Sequence, residues 1–123
     1  MGHKYSFEKL EVWEDSNALV VAIYSVIRDF PDTEKYGLAN QMRRAAISVI
    51  SNIAEGSART SLKEQAHFYQ IAYSSLFELL AQLIIAHRLG FTNNGQLNNL
   101  KGQIENISMR LNGLRKSCLR RIL

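Results

Sequence analysis

Apolar residues return every three or four positions in four separate stretches of this chain, which is the period of an amphipathic helix. The first stretch spans about 12–28, with Trp13, Val20, Ile23, Ile27 and Phe30 on one side. Phe30-Pro31-Asp32 closes it, because the residue before a proline is driven out of the helical region. The second spans about 38–55, with Leu38, Met42, Ala45, Ala46, Val49 and Ile53 on one face, and Gly56 follows where a left-handed C-terminal residue belongs. Ser61-Leu62-Lys63-Glu64 has the form of a capping box and opens a third helix over about 62–89, closed by Gly90. Its inner stripe is Phe68, Ala72, Ser75, Leu79, Leu83 and Ala86. After Thr92-Asn93-Asn94-Gly95 a fourth helix over about 96–121 carries a heptad seam of Leu97, Leu100, Ile104, Ile107, Leu111, Leu114 and Cys118. No useful length alternates with the period of a strand. Short connections between four helices predict an all-α, antiparallel up-down-up-down bundle forming a single domain over 1–123. The residues expected in its core are Trp13, Ile27, Met42, Val49, Phe68, Leu79, Leu83, Ile104, Ile107 and Leu111.

The second and third helices carry more apolar surface than one core uses. Ile47, Ile50 and Ala54 lie away from the Met42/Val49/Ile53 face, and Tyr73, Phe77, Leu80 and Ile84 form a second stripe on the third helix. Either these helices sit centrally and touch two neighbours each, or the extra stripe of Ile47, Ile50, Tyr73, Phe77, Leu80 and Ile84 is an oligomer interface. An exposed stripe of this kind is an aggregation hazard, which favours subunit contact.

Composition narrows the setting. At 123 residues, with 46% hydrophobic and 21% charged residues, the chain has the length and balance of one folding domain. A single cysteine, Cys118, closes no intrachain disulfide and suits a reducing cytoplasm. No basic-then-apolar leader opens the chain, and the most apolar stretch, 71–89, is interrupted by Glu78, Gln82, His87 and Arg88, so neither secretion nor a membrane role is expected. Met1-Gly2-His3-Lys4-Tyr5-Ser6 fits the loose N-myristoylation pattern, which matches often by chance, and no lipid is expected there. The net charge is +4, but it is unevenly placed: residues 1–61 hold seven Lys/Arg against eight Asp/Glu, and residues 62–123 hold eight against three. From 106 onward Arg110, Arg115, Lys116, Arg120 and Arg121 stand with no acid among them, a cation cluster suited to a polyanion such as RNA or DNA.

Catalytic and metal-binding patterns are poorly represented. Glu64-x-x-His67 has the spacing used on one helix of di-iron bundles, but a second such pair and two further inward Glu residues are missing. Cys118 falls on the seam, where a small buried hydrophobe is expected, and no Gly-rich phosphate loop occurs. The expectation is therefore no enzyme, no metal and no cofactor. Arg43, Arg44, Asn52, Glu55, Arg59 and Glu78 form the remaining polar group. It reads either as an anion-binding surface or as structural pairing, in which Arg43 meets a carboxylate such as Glu78 and Asn52 ties up a loop backbone.

These residues also carry a resemblance. Phe7-x-x-Leu10-x-Val12-Trp13, then Phe30-Pro31-x-x-Glu34-x-x-Gly37-Leu38-x-x-Gln41-x-Arg43-Arg44-Ala45, then Ser48-x-x-x-Asn52-Ile53-Ala54-Glu55-Gly56-x-x-Arg59, then Phe68-x-x-Ile71-Ala72-x-x-Ser75-x-x-Glu78-Leu79 follow in order over residues 7–90. The series resembles the four-helix bundle proteins encoded within intervening sequences of bacterial large-subunit rRNA genes. Two positions depart from that pattern: Ile50 stands where Pro is usual, and Ser74 where Gly is usual. The resemblance implies a homo-oligomeric bundle, often a pentameric ring, without catalytic activity. That family is in turn similar, more distantly, to the basic accessory proteins of diversity-generating retroelements, which bind a reverse transcriptase and nucleic acid. Two functions remain open on the sequence: an oligomeric accessory protein that binds nucleic acid, and a protein-interaction scaffold with no nucleic-acid role.

Overall fold

Each helical stretch forms a helix close to its expected bounds, though not every expected signal at the helix ends acts as read. The structure, a computed structural model, describes residue 7 and residues 10–122; the N-myristoylation pattern and His3 lie outside the described residues. The helices are α1 (Glu11–Ile27), α2 (Leu38–Ala58), α3 (Leu62–Arg88) and α4 (Asn94–Arg121), with a short 3-10 turn at Asp32–Glu34. No strand occurs among the described residues. Helix α2 packs on α3, α3 on α4, α1 on α2, and α1 on α4, which closes the ring of four. By length and composition α3 could cross a membrane; here Ala72, Leu76, Leu79, Leu83 and Ala86 are buried in the bundle core, while Phe77 and Ile85 stay exposed.

Ser61 Oγ accepts the Glu64 backbone N–H at 3.0 Å to start α3, but the Glu64 side chain does not return the bond and lies 3.9 Å from Arg59 instead, so only half of the expected capping box forms. Gly90 takes φ of 83° to end the helix, a conformation that costs glycine little. Helix α4 begins two residues earlier than expected. Asn93 and Gln96 form a full capping box there: Asn93 Oδ1 accepts the Gln96 N–H at 2.8 Å, and Gln96 Oε1 accepts the Asn93 N–H at 2.9 Å. The start of α2 is capped from outside the helix, with Glu34 Oε1 accepting the Leu38 N–H at 3.1 Å.

The core runs along the bundle axis through Leu19, Ile23, Met42, Val49, Ile53, Leu76, Leu79, Leu83, Leu100, Ile104, Ile107 and Leu111. Of the expected core residues, Ile27, Met42, Val49, Leu79, Leu83, Ile104, Ile107 and Leu111 are buried. Trp13 and Phe68 are only half-buried, which corrects their assignment. Val12 and Tyr69, each one position away, take the inward places. Trp13 instead rests against Phe7, ring centroids 5.1 Å apart, and Phe68 lies under the Arg59 guanidinium, 4.6 Å from its ring centroid.

Gly56 is a second correction, because α2 does not stop before it. The helix continues to Ala58, and Gly56 is buried at the contact with α3. A Cβ on Gly56 would lie 2.7 Å from Tyr69 Cε1 and 3.2 Å from the Phe68 Cβ, so this glycine lets α3 approach rather than ending α2. Of the two departures from the family pattern, Ile50 leaves α2 regular, as a residue with an N–H should. Ser74 is exposed, where Gln70 Nε2 reaches its Oγ at 3.4 Å, and so makes no close helix contact.

Candidate nucleic-acid interface

Helix α4 is 28 residues long and α1 only 17, and the mismatch shapes one end of the bundle. Arg110 on α4 pairs with Glu11, and its Nε lies 3.1 Å from Asp15 Oδ2, so this arginine marks where α1 begins alongside α4. Asn106 Nδ2 adds a bond to Asp15 Oδ2 at 3.2 Å. From Arg110 to Arg121 the helix runs on for about 16 Å at the usual rise, past the start of α1. Among the described residues, the first part of α3 packs against this end of α4. Ala66, Tyr69 and Cys118 form a small second core there, with Leu62 and Leu114 against it. Burial there, with a smaller electrostatic contribution from Cys118, pushes the Tyr69 phenol up to about 12, so it stays a neutral part of the core.

The five cations expected to bind nucleic acid therefore divide in two. Arg110 is spent on α1 carboxylates and ties the two helices together. Arg115, Lys116, Arg120 and Arg121 have no carboxylate of the described residues within 4 Å, and Lys116, Arg120 and Arg121 are exposed. Lys63, on the first turn of α3 at the same end, is likewise exposed and unpaired. Sequence periodicity had no means of placing Lys63 beside residues more than fifty positions away. Part of the cluster has a local role, since Arg120 and Arg121 in the last turn of α4 suit the partial negative charge of its free carbonyls.

The internal polar group does not form one site. Arg59 closes the turn between α2 and α3: it bonds Glu55 at 3.0 Å, lies 3.9 Å from Glu64 and covers the Phe68 ring, while Gln65 Nε2 donates to its carbonyl. Asn52 donates to the Ser48 carbonyl one turn back at 2.8 Å rather than to a loop, and Ser48 Oγ meets Ser75 Oγ across the α2–α3 contact at 2.8 Å. Arg43 does not reach Glu78. It donates to the Lys35 carbonyl at 2.9 Å, and Glu78 instead accepts from Gln82 of its own helix. Arg44 and Glu78 face a shallow polar furrow with Gln41 and Ser48. The residues that make the sequence pattern specific are thus largely engaged in capping, turn closure and helix contact.

The extra apolar surface also divides. Ile47, 42% exposed, lines an open groove of about 390 Å³ between α1 and α2 with Tyr24, Asn40, Arg43, Arg44 and Ser48; Ile50 is half-buried on the same helix. Phe77, 44% exposed, and Leu80 line a second groove of about 240 Å³ between α3 and α4 with Lys101, Ile104, Glu105 and Ser108. Tyr73 stacks against Phe77 at 4.9 Å, and Tyr73 and Ile84 are half-buried. With the helices in ring order, these two grooves lie on opposite flanks of the bundle. Val21, 64% exposed, and Tyr24 extend the first flank along α1, and sequence reasoning missed both. Their signal was present, since neither falls on the inward stripe of α1.

Among the described residues no group of three or more His, Cys, Asp and Glu side chains could hold a metal. Cys118 is buried, with its thiol 3.6 Å from Gln65 Oε1. His67 is exposed beside Phe68, and His87 Nδ1 meets Thr92 Oγ1 at 3.1 Å where α3 turns into α4.

Comparison with known proteins agrees with this architecture. The sequence model described as "23S rRNA-intervening sequence protein" matches residues 8–113, so Arg115, Lys116, Arg120 and Arg121 lie beyond the match. A crystal structure of a protein with unknown function from the S23 ribosomal protein family of Bacteroides thetaiotaomicron is similar in fold. Its TM-score is 0.79 at 19% identity, over 85% of this chain and 95% of that one. No curated protein matches.

Proposed function

The chain belongs to the family of 23S rRNA-intervening sequence proteins, and from that premise we propose that it is a non-catalytic, homo-oligomeric accessory protein that binds RNA or DNA electrostatically through the overhanging end of α4. One observation carries the reading: Arg115, Lys116, Arg120 and Arg121 gather on two turns of a helix that outruns its neighbour, with no carboxylate of the described residues to neutralise them. The description of the Bacteroides protein as belonging to a ribosomal protein family is in keeping with an RNA partner.

Such a surface grips phosphates and releases counterions, and it reads little sequence. Four contacts to a single strand give a log–log salt slope of about −3, or about a 50-fold loss of affinity between roughly 50 and 200 mM salt. Replacing Arg115, Lys116, Arg120 and Arg121 together by Gln abolishes most of that slope and weakens binding to all sequences alike, with assembly unchanged. Fluorescence anisotropy over a salt series measures this. A wild-type protein that retains no RNA or DNA at about 50 mM salt, where electrostatic binding is strong, leaves the scaffold reading in its place.

The two flanks support the assembly half of the reading. Different apolar patches on opposite sides of one subunit make a heterologous contact, which closes into a ring when the rotation permits, five subunits being the number the family resemblance implies. Both flanks are apolar at the centre, with Val21, Tyr24 and Ile47 on one and Phe77 and Leu80 on the other. Phe77→Glu places a charge in the second groove and is expected to yield monomers of unchanged helical content, read by light scattering and circular dichroism. A wild type that is monomeric at micromolar concentration would sink the assembly.

A further inference from the structure

Among the four unpaired cations one differs from the rest. Arg115 is half-buried, whereas Lys116, Arg120 and Arg121 are exposed. Its position on α4 turns it toward the bundle, within a helical turn of Cys118, which belongs to the small core at this end. Its Nη2 donates to Asn112 Oδ1 one turn back at 3.0 Å, which fixes the plane of the guanidinium. Its Nε is sealed from solvent and has no hydrogen-bond partner among the described residues.

A guanidinium in that position is out of balance. Partial burial removes water from a group that is charged at every accessible pH, and a neutral amide oxygen replaces only part of the lost solvation. Among the described residues two arginines are paired, Arg110 with Glu11 and Asp15 and Arg59 with Glu55 and Glu64; of those without a carboxylate, Arg43 and Arg115 are half-buried, and Arg43 has the Lys35 carbonyl as its acceptor. Arg115 has no such carboxylate, although its neighbours crowd the same turns with like charge. The nearest charges therefore add to the imbalance instead of relieving it.

Resting on the nucleic-acid reading above, we infer that Arg115 is the phosphate anchor of this surface, a pre-set guanidinium whose missing counter-charge is supplied by a backbone phosphate of the bound strand. Lys116, Arg120 and Arg121 contribute by attraction and counterion release, as solvated charges do. Arg115 contributes directed, charge-assisted hydrogen bonds from a fork already oriented by Asn112. An anion seated on the open edge of the guanidinium compensates the desolvated charge without having to reach Nε. The side chain is thus a cost to the free protein that binding recovers, the usual trade between stability and function at a site.

This assignment separates binding from stability in a way that a merely structural or merely solvated cation does not. Arg115→Met keeps the length and the apolar stem but deletes the charge, so it is expected to leave the thermal midpoint of the free protein unchanged or raised. The same variant is expected to bind a fluorescein-labelled, mixed-sequence single-stranded RNA of about 20 nucleotides, longer than one site, about tenfold more weakly, the worth of one charge-assisted bond. Arg115→Lys restores charge without the fork and should recover only part of that loss. Lys116→Met, removing an exposed charge, should weaken binding by less than about threefold, in the range of a solvated contact. The inference is overturned if Arg115→Met binds the RNA as the wild type does, or if its midpoint falls, since the side chain would then be there for packing. It is also overturned if the variant dissociates the assembly in light scattering, because the missing anion would then be a carboxylate of another subunit. A wild type that fails to bind the RNA at about 50 mM salt removes the nucleic-acid reading itself, an outcome distinct from a wild type that binds and a variant that matches it.

Discussion

Leu79→Ala is expected to lower the stability of the folded chain by about 2–5 kcal/mol, the range for emptying a packed Leu site. Leu79 is wholly buried in the middle of α3, the helix that packs on both α2 and α4. Its side chain lies wholly inside the close-packed core, so the cavity left by three missing carbons has little freedom to collapse. The next residue is the natural control. Leu80 is half-buried at the rim of the α3/α4 groove, and Leu80→Ala should cost much less. Urea titration with a shared slope measures both. A loss below about half a kcal/mol for Leu79→Ala, the level of an ordinary surface change, would mean that it is not a core residue.

That Leu79 is in the core was legible from the sequence alone, and the reason is periodicity. A seam such as Leu100, Ile104, Ile107, Leu111 and Cys118 sums its signal over five positions, so one misplaced residue does not rotate it. Helix ends give no such averaging. At the start of α3 the choice between Phe68 and Tyr69 rested on one turn, and the winner was decided by Gly56 on another helix, which leaves a hollow that the Tyr69 ring fills. Gly56 itself was misread for a related reason. A glycine near the end of an apolar pattern is most often a C-terminal residue, and only the partner helix reveals that it is needed for close approach.

The proposed binding surface was less legible. Counting charges located the cations of α4, but it could not tell Arg110, which is neutralised by Glu11 and Asp15 nearly a hundred residues away, from Arg115, which has no carboxylate of the described residues as a partner. Nor could it divide one apolar stripe into two flanks, because Ile47 and Phe77 look alike on helical projections that carry no common axis. The polar group built around Arg43, Asn52, Arg59 and Glu78 scattered for the same reason. Residues close in sequence on α2 point to the connection before it, to α3 and to the turn after it.

Gly56 also gives a result whose sign depends on its neighbour. Glycine inside a helix costs about 1 kcal/mol relative to alanine, so Gly56→Ala taken alone should stabilise α2. Here the added Cβ would lie 2.7 Å from Tyr69 Cε1 and 3.0 Å from Tyr69 Cδ1, distances that force the buried ring to move. The ring is held by Ala66 and Cys118, with Leu62 and Leu114 behind them, and overpacking a held side chain costs about 1–3 kcal/mol. The clash is severe enough to place the cost at the upper end, so Gly56→Ala is expected to destabilise the wild type by about 1–2 kcal/mol net. In a Tyr69→Leu background the ring atoms that Cβ would meet are gone. There only the Phe68 Cβ, 3.2 Å away, stays close, and Gly56→Ala should stabilise by less than the full helix-propensity gain of about 1 kcal/mol. A double-mutant cycle by urea denaturation therefore returns a coupling of about 1–3 kcal/mol, within the range for residues in contact. If the glycine substitution has the same sign in both backgrounds, Tyr69 is not what keeps position 56 free of a side chain.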